Sequence, residues 1–103
     1  MNEERCRWYW VSATYKAVHG GVSRRRHLWE RTVFLIRAAD DTEAATTAEN
    51  VARQKEHEYE AAGGDTVRWT FQEIEAIQPL FDERVGEGTE VYWELFERVD
   101  KRQ

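Results

Sequence analysis

EHEYEAAGGDTVRWTF, residues Glu56–Phe71, carries the chain out of its longest helical pattern and into an aromatic strand. Upstream of it, Asp40 is a helix-capping residue with Glu43 three positions on, a capping-box spacing with Asp in place of the usual Ser or Thr. Ala44, Ala48, Val51, Ala52, Lys55, Tyr59 and Ala62 then follow helical spacing, Lys55 contributing only its aliphatic stem. Gly63 or Gly64 supplies the left-handed stop. This predicts one long helix over 40–62, roughly 30 Å at ~1.5 Å per residue, with HEYE as its exposed last turn. Downstream, Val67, Trp69 and Phe71 alternate as in a strand. Ile74 and Ile77 then fall three apart, so the strand over 66–79 is expected to carry a bulge near Gln72 and Glu73. A short helix over 72–77 is the rival reading.

Working outward, Arg7–Val18 alternates Tyr9, Val11, Ala13, Tyr15 and Ala17 against Trp8, Trp10, Ser12, Thr14 and Lys16, the period of a strand. HGGVSRRRH follows, too long for a tight hairpin, and its Arg24–Arg26 stretch is expected to be mobile. Leu28–Ala38 is a second strand. Its consecutive Val33, Phe34, Leu35 and Ile36 ask for burial on both faces, so it is expected to be central. After a loop over Leu80–Glu90 with Gly86 and Gly88, Val91–Phe96 is expected to be a last short strand. The order β-β-α-β-β predicts an α+β domain, 1–103, in which a mainly antiparallel sheet of about four strands packs on one long helix.

The chain has 103 residues, enough for one domain. Five Trp and 13% aromatics must supply much of so small a core. Charge is uneven: residues 1–39 carry 8 Lys/Arg against 3 Asp/Glu, residues 40–103 carry 7 against 17, and the total is −5. That acidity disfavours nucleic acid as a partner. The basic run SRRRH, Ser23–His27, is read as a solvated loop. Cys6 stands alone, without a disulfide partner, and the opening MNEERCRWYW is polar where a secretion leader would be apolar. Both point to the cytoplasm. The longest aliphatic run, TVFLI, is too short to span a bilayer.

No stretch matches a catalytic template. The helical zinc motif HExxH would need a second histidine one turn after His57, where Ala61 stands. The glycine pairs lack the Lys-Ser/Thr of a phosphate loop. No metal and no cofactor are therefore expected. Glu56 and Glu60 form an acidic pair that Arg68, just past the glycines, is placed to relieve. The residues left as a binding site are Glu56, His57, Arg68 and Glu90, around a pocket between the helix end and the Gly86–Glu90 loop. One helix covers one sheet face at best, so Trp8 and Trp10 are expected to face an interface. The simplest closure is a twofold homodimer, or an unidentified protein partner. The chain is thus expected to be a non-enzymatic interaction module. The alternative is a small enzyme or ligand-binding domain, accessory to a biosynthetic pathway, using the pocket just named.

Four stretches, WYWVSATY, LWERTVFLIRA, EHEYEAAGGDTVRWTF and LFDERVGEGTEVYWELF, together resemble the bacterial and phage family known as domain of unknown function 4288. The closing LFDERVGEGTEVY is the most specific piece, and the charged ERVDKRQ tail departs from the pattern. The resemblance implies a small, stand-alone cytoplasmic prokaryotic protein and assigns no catalytic residue. By analogy with other small acidic bacterial domains, an immunity-like or regulatory role is expected.

Overall fold

Alternation on the first strand builds the whole domain. The computed structural model describes residues 6–20, 27–61, 63–80, 84–92 and 95–99. Strand β1 spans Arg7–His19, and its Tyr9, Val11, Ala13, Tyr15 and Ala17 are all 2% exposed or less. Strand β2 (Trp29–Ala38), helix α1 (Asp41–Gln54), strand β3 (His57–Glu60) and strand β4 (Thr66–Pro79) follow. They form one four-stranded antiparallel sheet in the order β2-β1-β4-β3, with α1 on one face. The expected α+β class and β-β-α-β-β order hold, but the fourth strand and the helix length differ from expectation.

The helix starts where its sequence says. Asp40 is extended, and its carboxylate accepts the Glu43 N–H at 2.8 Å. Asp41 and Glu43 in the first turn and Arg53 in the last complement the helix dipole. Ala44, Ala48 and Ala52 are fully buried against the sheet, alongside Tyr9, Val11, Ile36 and Ala38 at one end and Ala13 and Tyr15 at the other. A methyl-sized stripe lets the helix axis lie close to the strands. Two tyrosines of β1 then fix it: the Tyr9 hydroxyl donates to Asp41 Oδ1 at 3.0 Å, and the Tyr15 hydroxyl donates to the Ala52 carbonyl at 2.7 Å. Burial raises the pKa of both phenols, with the Asp41 bond adding to it at Tyr9, so both keep the proton they donate.

The helix is 14 residues long and stops at Gln54, not at the glycines. HEYE is therefore not a helix end but strand β3, pairing His57 with Trp69 and Glu60 with Thr66. After Gln54 the chain leaves the helical layer and enters the sheet beside β4. Gly63 (φ 102°) and Gly64 (φ 91°) turn the β3–β4 hairpin, closed by the Ala61 N–H to the Asp65 carbonyl at 2.7 Å. Positive φ is the requirement of a helix stop and of a hairpin turn alike, so the local chemistry fits both. Ala62, expected on the helix, lies outside the described residues.

Strand β4 is continuous, which removes the short-helix reading of 72–77. Its register against β1 shifts twice: partners jump from Ala76 to Ile74, and from Glu73 to Phe71, leaving Glu75 and Gln72 as inserted residues. Each bulge advances the strand by one residue. Phe71, Ile74 and Ile77, three apart, thereby all reach the helix side, opposite Tyr15, Ala13 and Val11. The expected irregularity near Gln72 is thus the device that makes a period of three sit on a sheet.

Two further expectations are corrected. Strand β2 is an edge, not central. Its Phe34 and Ile36 lie on the helix side opposite Val11 and Tyr9, while Val33, on the other side, is 54% exposed. Val91–Phe96 is not a strand among its described residues; Tyr92 instead lies edge-on to Trp10, ring centres 5.4 Å apart. The Arg24–Arg26 stretch, Phe81 and Trp93 lie outside the described residues.

The alanine stripe yields a test. Ala48→Leu inserts three carbons where no space remains and should lower unfolding free energy by about 1–3 kcal/mol in urea titration. Ala45→Leu, on the exposed side of the same turn, should be nearly neutral.

Candidate functional site

Three of the four residues read from sequence as a binding site come together. Arg53, Glu56, His57, Glu58 and Arg68 line a cavity of about 360 Å³ where α1 gives way to β3. The hairpin brings Arg68 there, because it pairs with Glu58. Glu90 does not line this cavity. The Gly86–Glu90 loop closes on itself: the Gly86 N–H donates to Thr89 Oγ1 at 2.7 Å, the Thr89 N–H returns to the Gly86 carbonyl at 3.1 Å, and Gly88 takes φ 86°.

Most polar groups of the cavity have internal work. Strand β3 is short, and past it the Phe71 N–H points away from β1 with no strand to meet. Glu56 Oε2 accepts it at 2.8 Å. Glu56 Oε1 lies 3.7 Å from Arg68 Nη2, an ion pair without a direct hydrogen bond. Arg68 thus sits beside Glu56 across the sheet, while the expected helical Glu56–Glu60 pair is not formed, because Glu60 lies in β3. Arg53 bonds Glu49 at 2.8 Å and lies 5.1 Å from the Phe71 ring centre. The His57 ring stacks on Trp69 at 6.4 Å, and its Nδ1 is 3.2 Å from the Lys55 carbonyl. A carbonyl only accepts, so Nδ1 is the donor in this contact, and in the neutral ring Nε2 carries the lone pair. Chemically the cluster offers two guanidinium groups and one imidazole lone pair to a small polar ligand. Among the described residues no three His, Cys, Asp or Glu are grouped as for a metal ion.

The other face of the sheet carries a second cavity, of about 320 Å³, lined by Thr14, Trp29, Glu30, Arg31, Glu73 and Glu75. Sequence reading missed it, because it depends on the register. Arg31 of β2 crosses β1 to reach Glu75 of β4 with two hydrogen bonds, 2.5 and 3.1 Å, and Ser12 donates to the same carboxylate at 3.1 Å. Glu75 is a bulge residue, and it is the bulge that turns its carboxylate toward Arg31. The Arg31 hydrogen bond holds the Glu75 carboxyl below the usual range, against some opposing burial and with help from Ser12 and the Arg31 charge. Trp8 lies under Arg37, with 5.4 Å from guanidinium carbon to ring centre, and Lys16 lies 5.9 Å from the Trp29 ring centre. Trp8 and Trp10 are both half-buried within the chain, Trp10 partly beneath Tyr92.

A four-stranded antiparallel sheet carrying one helix, with two modest polar cavities among its described residues, defines a small α+β domain. The chain matches the family model Domain of unknown function (DUF4288) over residues 8–93 and belongs to that family. No curated protein and no solved structure matches it. Among the described residues no helix is long and apolar enough to cross a membrane.

Two measurements check these geometries. Glu56→Ala leaves the Phe71 N–H without its acceptor and should cost about 1 kcal/mol in chemical denaturation. Glu75 has its folded pKa below the unfolded value. Its contribution is therefore complete above the ordinary carboxylate pKa and is lost as pH falls through the depressed one. Unfolding titrations between about pH 6 and about pH 3 should show a steeper loss of stability for the native chain than for Glu75→Gln.

Proposed function

We propose that the protein is a non-enzymatic interaction module, working in the cytoplasm as a regulatory or immunity-like protein that docks a protein partner on the sheet face opposite the helix. The supporting observation is the surface the chain leaves uncovered. Trp29, Val33, Val91 and Tyr92 are exposed on or beside that face, and Leu95, Phe96 and Val99 beyond it are 71% exposed or more. Lys16, Arg31 and Arg37 rim the patch on an otherwise acidic protein. An apolar centre with a basic rim fits a partner presenting apolar side chains within an acidic surface.

The second reading, a ligand-binding or small catalytic domain, draws on the His57 lone pair beside Arg53 and Arg68. The two separate by experiment. Tagged native chain recovered from its own cells should retain a stoichiometric protein, and Trp10→Glu and Trp29→Glu should lose it while remaining folded by circular dichroism. Thermal stabilisation by a small anionic metabolite instead, abolished by His57→Ala or Arg68→Ala and untouched by Trp10→Glu, would establish the second reading.

A further inference from the structure

The outer edge of β2 contradicts the strand's own composition. Val33–Ile36 is four consecutive apolar residues, the signature of an interior strand, yet β2 ends the sheet. The backbone geometry shows what is left open. The Ala17 N–H donates to the Leu28 carbonyl at 2.9 Å, so residues 17 and 28 form a hydrogen-bonded pair. Such pairs alternate in an antiparallel ladder, and the β1–β2 register runs unbroken from Lys16–Trp29 to Arg7–Ala38. Residues 30, 32, 34, 36 and 38 therefore turn their N–H and C=O groups to β1. Trp29, Arg31, Val33, Leu35 and Arg37 turn theirs outward.

The opposite edge is guarded and this one is not. Strand β3 is four residues long, wholly exposed and half glutamate. Strand β4 beyond it has two bulges, ends at Pro79, and has its Phe71 N–H taken by Glu56. Short length, charge, bulges and proline are the usual protections of a sheet edge. Strand β2 has ten residues, no proline, no glycine and no bulge. Its two arginines do not overhang the edge: Arg31 reaches inward to Glu75, and Arg37 lies over Trp8 of β1. Among the described residues no backbone hydrogen bond joins the five outward residues to another segment.

We propose that β2 pairs antiparallel with β2 of a second copy of this chain, across a twofold axis at Val33, joining two four-stranded sheets into one of eight strands. An antiparallel edge is complementary to itself, which suits an isologous contact. The register centred on Val33 sets Arg31 opposite Leu35 and Trp29 opposite Arg37, so no like charges face each other. It satisfies all five outward residues with about ten hydrogen bonds. Shifting by two residues toward the strand end would set Arg31 opposite Arg37, like charges that oppose pairing. This contact lies on an edge and leaves the proposed docking face free, so either can fail without the other.

Val33→Pro tests it cleanly, because among the described residues the Val33 N–H bonds nothing. Sedimentation from about 1 µM to about 1 mM should show native chain passing from monomer to dimer. Val33→Pro should weaken that dimer at least tenfold with its circular dichroism unchanged, and Trp10→Glu should leave it intact. Amides of Arg31, Val33, Leu35 and Arg37 should gain hydrogen-exchange protection with concentration. If Val33→Pro fails to fold, Val33→Lys makes the same test by setting two ammonium groups face to face at the axis. Native chain that stays monomeric throughout, or a dimer whose affinity neither folded Val33 variant changes, overturns the proposal.

Discussion

Two tyrosine hydroxyls hold the helix to the sheet, and the rest of the domain is arranged around that hold. Tyr9 binds the first residue of the helix and Tyr15 the carbonyl of Ala52 near its last turn. Six strand residues at ~3.4 Å and eleven helix residues at ~1.5 Å cover comparable lengths, so one strand spans one helix and clamps both ends. The alanines between need no larger side chain because the tyrosines already set the spacing. Each tyrosine also fills core volume, so the same two residues supply packing and direction. Past Gln54 the chain steps down to the sheet, and β3 is what it forms there.

A helix so placed covers one face only. The other face is organised by charge across the strands: Arg31 spans β1 to reach Glu75, Ser12 adds to the same carboxylate, and Arg37 shelters Trp8. These contacts draw the basic side chains of β2 over the sheet and away from its edge. One arrangement therefore has two consequences. It builds a basic-rimmed aromatic face, and it strips an apolar edge strand of the charges that would otherwise repel a neighbour. The bulges in β4 serve both sides as well, bringing Phe71, Ile74 and Ile77 onto the helix side while turning Glu75 toward Arg31 on the other.

The candidate site was legible in part. Glu56, His57 and Arg68 were recognisable as a group because the glycine turn lies between them, and any turn there brings their ends together. Their roles were not legible. Glu56 serves as a backbone acceptor for Phe71 because β3 stops short of it, and the His57 tautomer follows from a carbonyl two residues back. Glu90 was placed with them on sequence grounds, but its loop folds on itself through Thr89. The Arg31–Ser12–Glu75 cluster spans three strands and left no mark in any single segment.

What the sequence by itself determined are features carried by neighbouring residues: the alternation of β1, the Asp40 cap, the alanine stripe, the slip in β4, the α+β class and the family resemblance. The first four arise from backbone geometry within a few residues, where period and capping chemistry act directly; the class follows from the order of the elements, and the resemblance from stretches spread over the chain. Only the tertiary structure decided where the helix ends, that HEYE is a strand, that Val91–Phe96 is not, and that β2 lies at an edge. Gly63 and Gly64 permit positive φ for either outcome, and residues 57–60 form β3 by pairing with the edge of β4 at residues 66–69, a partner that only the assembled sheet supplies. Strand order likewise depends on which edges meet, and a hydrophobic pattern reports how much burial a strand requires without saying which neighbour provides it.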